Sequence, residues 1–128
     1  MPVSVQAALI YDTKAQPLSS GVRAAVQRAR RLMFAADDTE LLLLIAPGRR
    51  PECVWMLGQV IDEGIPLEGA AVNVTSAGDG VTGGVDRKIE LRTDREGELR
   101  IADLSKGSYR FEIETASRIV TVAPFDID

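Results

Sequence analysis

The sequence predicts an all-β fold: a Greek-key, Ig-like β-sandwich. Three observations predict it. From Val54 onward, apolar residues recur at every second position, the period of a strand with one buried face. The alternating runs are separated by turn chemistry, as in "DEGIP", "DREG" and "SKG". The composition is that of a globular chain, with 128 residues, 45% of them hydrophobic, and a net charge of −4. A single domain over 1–128 is expected. Its core occupies 54–123, and N-terminal strands within 1–53 either extend the sandwich or cover it.

Taken in order, "SVQAALIYD" reads as a first strand. Residues 20–36 admit two readings. Val22, Val26, Ala29, Leu32 or Met33, and Ala36 fall at helical spacing behind a capping Ser19 or Ser20, which gives one short N-terminal helix. Alternatively, "RRLMFAADD" is a strand entering a hairpin with "TELLLLIAP". Periodicity leaves both open. "TELLLLIAP" and the run after "GRRPE" read as two buried strands around a turn. "VWMLGQVID" is strongly apolar, and Trp55 within it is expected to anchor the core between two sheets.

In "LEGAAVNVTS", Ala70, Val72 and Val74 share one face, with Asn73 and Thr75 opposite. The glycine-dense "AGDGVTGG" reads as a loop. Ile89 and Leu91 then alternate with Lys88, Glu90 and Arg92. "DREG" is a turn in which Asp94 bonds its own backbone and Gly97 takes a positive φ. Leu99 and Ile101 alternate with Glu98 and Arg100; after "SKG", Tyr109, Phe111 and Ile113 alternate with Arg110, Glu112 and Glu114. "RIVTVAPF" is a last strand ending at Pro124, which cannot donate to a ladder, and Asp126 and Asp128 read as a frayed acidic tail.

The composition also bounds the chemistry. The chain has no histidine, which removes the commonest general base and the commonest zinc ligand. A Ser-His-Asp or Cys-His nucleophile is excluded. One cysteine, Cys53, cannot close an internal disulfide and points to a reducing compartment. The opening "MPVSVQAALIYDTK" lacks a basic leader and a long apolar run, so no signal peptide and a cytoplasmic location are expected. The negative net charge argues against a surface built for nucleic acid. The acidic groups of the second half lie on the outward phase of strands, beside cations of the same phase. "DREGE" supplies only a fragment of the oxygen-ligand spacing of a calcium loop. No catalytic residue, cofactor or metal is expected. The basic residues Arg23, Arg28, Arg30 and Arg31, joined by Arg49 and Arg50 on a turn, form the candidate contact patch for a protein partner. No aromatic residues interleave with them to stack bases.

From Met56 onward the chain resembles a carboxypeptidase regulatory-like domain, a transthyretin-like β-sandwich. The resemblance is carried by "GQVIDEGIPLEGAAVNV", "TDREGELRI" and "LSKGSYRFEI". The upstream part, including "RLMFAADDTELLLLI", resembles a group of uncharacterised bacterial proteins bearing this domain, in which that segment is usually β. Many of those look like neighbours of extracytoplasmic-function sigma factors or of caspase-like proteins. The resemblance implies a non-catalytic interaction or adaptor module in bacterial regulation or signalling. The alternative is a small-ligand or carbohydrate-binding sandwich that uses end loops such as Ala77 to Asp86, and its mark would be exposed aromatics beside polar loop residues.

Overall fold

The computed structural model describes residues 3–13, 29–76 and 88–127. Over these the chain is all-β. Its ten strands are β1 (Val3–Asp12), β2 (Arg30–Ala36), β3 (Thr39–Pro47), β4 (Cys53–Asp62), β5 (Ile65–Pro66), β6 (Ala71–Ser76), β7 (Lys88–Arg92), β8 (Glu98–Ser105), β9 (Gly107–Glu114) and β10 (Arg118–Ile127). Residues 30–36 are strand, so the hairpin reading of that segment holds there. The rest of the helical alternative, 20–28, lies outside the described residues, which resume at residue 29.

The strands form one curled mixed sheet in the order β5-β4-β3-β2-β1-β10-β9-β6-β7, with β8 also paired to β4. Two halves face each other across the core, as in a sandwich, and β1 belongs to both. Its first part, Val3 to Ala7, runs parallel to β10, from Arg118 to Val122. Its second part, Ala8 to Asp12, runs antiparallel to β2, with an irregularity between Leu9 and Tyr11. Such an irregularity bends a strand, and here it follows directly on the change of partner between Ala7 and Ala8. The N-terminal strands therefore extend the sheet: β3 pairs with β4 along its whole length, from Thr39↔Asp62 to Pro47↔Val54.

Turn chemistry sets the local geometry. Glu63 and Gly64 both take positive φ, as a two-residue hairpin between β4 and β5 requires. Asp94 Oδ1 accepts from the backbone N–H of Glu96 and of Glu98, both at 2.9 Å. Gly97 takes a φ of 71° and packs against β4, where Val60 N–H donates to Gly97 O at 2.8 Å. "SKG" joins β8 to β9, which lie in opposite halves, so it turns a corner of the sandwich. Tyr109 Oη donates to Ser105 O across that corner. Thr93, buried, donates to Leu67 O and accepts from Ala70 N–H, which pins the β5–β6 loop to the end of β7.

The core takes one phase of nearly every strand. Leu32, Phe34, Leu41, Leu43, Ile45, Val54, Met56, Val60, Leu99 and Ile101 come from one half. Val72, Val74, Tyr109, Phe111, Ile113, Val120 and Val122 come from the other. Phe125 joins them, its ring centroid 5.4 Å from Phe34 and 5.7 Å from Phe111. Two details of the C-terminal strand depart from the sequence reading. β10 continues through Pro124 to Ile127, because a register shift between Val122 and Phe125 leaves the proline outside the ladder. Asp126 is a strand residue whose carbonyl accepts from Arg30 Nη1, and Asp128 lies outside the described residues.

The switch of β1 leaves a gap at each end of the seam between the halves, and an arginine crosses each gap. At one end Arg118, opposite Val3 at the start of β10, reaches Asp37 at 3.2 Å and Asp62 at 3.5 Å in the other half. Thr39 Oγ1 donates to the same Asp62 oxygen at 2.9 Å. At the other end, Arg30 of β2 grips both carboxylate oxygens of Asp12, at 2.9 and 2.6 Å, and donates to Asp126 O of β10 at 2.6 Å.

Candidate interaction surface

The two halves present different outward faces. The half built from β6, β7, β9 and β10 carries Lys88, Glu90, Arg92, Arg110, Glu112 and Glu114 on its outward phase, as expected from the alternation. Where these charges pair, they do so along one strand: Lys88 Nζ lies 3.4 Å from Glu90. Both groups are more than half exposed, so the pair contributes little.

The other half carries apolar side chains on its outward face as well, at the centre of a charged rim. Strand register lays its outward residues out in rows. Tyr11, Met33, Leu42, Gln59 and Glu98 form one row across β1, β2, β3, β4 and β8. The adjacent row is Arg31, Leu44, Leu57 and Arg100. Ala46 and Trp55 lie beyond it, and Ala35, Glu40 and Ile61 lie on the far side. Tyr11, Met33, Leu42, Leu44, Trp55, Leu57 and Ile61 are all half-buried. A hollow of about 260 Å³ opens among Tyr11, Leu42, Leu44 and Leu57, bordered by Arg31 and Glu98.

This face departs from the sequence reading, in which β3 and β4 were buried strands with Trp55 as a core anchor. Trp55 shares its phase with Leu57 and Gln59, while Val54, Met56 and Val60 point inward. It lines a broad hollow with Arg49, Ala102 and Asp103. Four consecutive leucines, Leu41 to Leu44, carry no phase information. They signal a strand with two apolar sides, as does the run Val54 to Leu57, and these were the available signs of this surface.

The arginines proposed as a contact patch do not share one face. Arg30 is turned inward onto Asp12 and Asp126, its side chain 16% exposed. Arg31 stands on the outward face opposite Leu44. Arg49 and Arg50 are exposed on the β3–β4 turn, with Arg50 Nε 3.4 Å from Glu52 and Arg50 Nη2 3.4 Å from Cys53 Sγ. Arg30, Arg50 and Lys106 border a small hollow of about 160 Å³ with Cys53 at its wall. Cys53 is 2% exposed, which suits a packing thiol. Arg23 and Arg28 lie outside the described residues, as does the loop Ala77 to Asp86.

Asp94, Glu96 and Glu98 bring carboxylate oxygens within 4.8 Å of one another at the β7–β8 turn. Asp94 already accepts two backbone N–H groups there, so its carboxylate shapes the turn. No helix among the described residues is long and apolar enough to cross a membrane.

No family model matches the chain, and neither a curated protein nor a solved structure matches it.

Proposed function

We propose that this chain is a non-catalytic protein-interaction module, an adaptor in bacterial regulation or signalling. The observation that supports it is the outward face of β2, β3 and β4. A sheet face with Met33, Leu42, Leu44, Leu57 and Trp55 at half burial keeps apolar area in water that a partner surface would remove. The regulatory setting rests on the resemblance to the carboxypeptidase regulatory-like domain. The test is capture of partners from extract by the parent chain and by Leu44→Asp side by side. The reading expects a protein retained by the first and lost by the second. Equal capture by both, or none by either at several salt concentrations, removes it.

A second reading has its own observation. Trp55 beside Arg49 and Asp103 is an aromatic platform flanked by a donor and an acceptor, the arrangement expected of a carbohydrate-binding sandwich. Trp55 is the one tryptophan, so its fluorescence reports the site directly. Saturable changes on titration with oligosaccharides, abolished by Asp103→Ala, would support this reading over the first.

A further inference from the structure

We propose that the outward face of β2, β3, β4 and β8 is the surface on which two copies of this chain pair, back to back about a two-fold axis. The proposal rests on the interaction-module reading and names its partner.

The choice of a second copy comes from the charges that rim the apolar centre. The Arg31–Leu44–Leu57–Arg100 row carries a cation at each end, and the neighbouring Tyr11–Met33–Leu42–Gln59–Glu98 row ends in an anion. Consider a two-fold axis lying in the contact plane, across the strands, between these rows. It sets each row of one copy against the other row of its mate. Leu44 then meets Leu42, Leu57 meets Gln59, and Arg100 meets Glu98, each contact occurring twice. In the single chain Arg100 already leans toward Glu98, Nη2 to carboxylate 3.5 Å, with its side chain 68% exposed. It is free to trade that contact for one across the interface. Trp55 falls opposite Ile61 in the same operation, and no like charges are juxtaposed.

A two-fold axis along β3 is the main competitor, and it fails on charge. It would set Glu40 of one copy against Glu40 of the other, and like charges across a contact are a repulsive element that specific interfaces use against wrong arrangements. Isologous pairing of this kind needs a patch that is its own complement; the two rows supply it at β3, β4 and β8, and at the β2 edge Arg31 falls opposite Met33 with its guanidinium at the rim. Two sheets stacked in this way lie about 10 Å apart, within the reach of opposed leucine side chains.

The full chain, followed by sedimentation velocity from micromolar to millimolar concentration, is expected to move from one-chain to two-chain mass. Leu44→Asp should hold it at one-chain mass. Arg100→Glu, an exposed change that leaves the core alone, should weaken association at least about tenfold. Arg100→Glu combined with Glu98→Arg should restore it, since each copy then again offers opposite charges. A chain monomeric at every concentration overturns the proposal, and so does a dimer indifferent to both Leu44→Asp and Arg100→Glu. The Leu44-dependent capture of other proteins is read independently, so loss of the dimer and loss of the broader interaction reading are separate outcomes.

Discussion

Arg30 and Asp126 stand 96 positions apart in the chain, yet the Arg30 guanidinium donates to the Asp126 carbonyl at 2.6 Å while holding both carboxylate oxygens of Asp12. Three strands, β1, β2 and β10, are thereby tied where the ladder between β1 and β10 has ended. The carboxylate of Asp12 is about as secluded as the arginine, with side-chain exposures of 11% and 16%.

Each member of this group holds a charge of the other. Arg30→Ala is expected to cost about 2–4 kcal/mol, because the mostly buried Asp12 carboxylate loses the guanidinium that holds both its oxygens. Asp12→Asn should cost a similar amount, and the double variant clearly less than the sum. Urea unfolding of the four chains checks this; strict additivity would show that the contact carries no coupling.

Gly97→Ala attacks the turn that positions β8. A Cβ there would sit 2.5 Å from Val60 O and 2.9 Å from Leu67 N, on a backbone already at φ 71°. Both neighbours are main chain, so the strain cannot be relieved by a rotamer. A loss of about 2–4 kcal/mol is expected. Gly64→Ala, with positive φ but open space around it, should lose only about 1 kcal/mol.

Adjacent leucines should answer differently. Leu43 is 3% exposed in the core, and Leu43→Ala should cost about 2–5 kcal/mol. Leu44→Ala, on the outward face, should cost under about 1 kcal/mol in the dilute chain. Equal losses at the two positions would show that β3 is buried on both sides.

Thr93→Val keeps the volume of a buried residue and deletes a hydroxyl that serves Leu67 O and Ala70 N–H. The expected loss is about 2 kcal/mol, from two main-chain groups left short of a partner. Amide exchange at Ala70 should quicken along with it.

Trp55 offers an optical check on its own placement. Acrylamide should quench its emission in the folded chain, and emission should lie to the red of that of a core tryptophan. A blue-shifted, quencher-resistant signal would return it to the interior.

Much of this architecture was legible residue by residue. Leu99, Ile101, Tyr109, Phe111 and Ile113 alternate with charges, and all five are buried. Asp94 and Gly97 announced their turn. Where both phases are apolar, as in Leu41 to Leu44 and Val54 to Leu57, alternation cannot say which side faces in, so Trp55 was assigned to the wrong one. Pro124 read as a stop because a proline leaves the ladder, but a local register shift lets the strand resume. The double allegiance of β1 has no local signature at all. Its partners are chosen by strands far along the chain, and Arg30, which helps close the seam, read as part of a surface patch until those strands were placed. Hence Arg30, counted among the contact residues, proved to be committed inside the fold.

The parallel pairing of β1 with β10 also sets a timetable. A chain made from its amino end has the hairpins β2–β3 and β3–β4 available early, since their partners follow within a few residues. The stretch from Val3 to Ala7 must wait until Arg118 to Val122 has been made. Closing so long a loop is slow, and until it closes an exposed ribbon is open to the wrong mate. The ladder between β1 and β10 thus cannot form before both strands exist, and a nascent chain halted short of Arg118 would carry that vacancy with it.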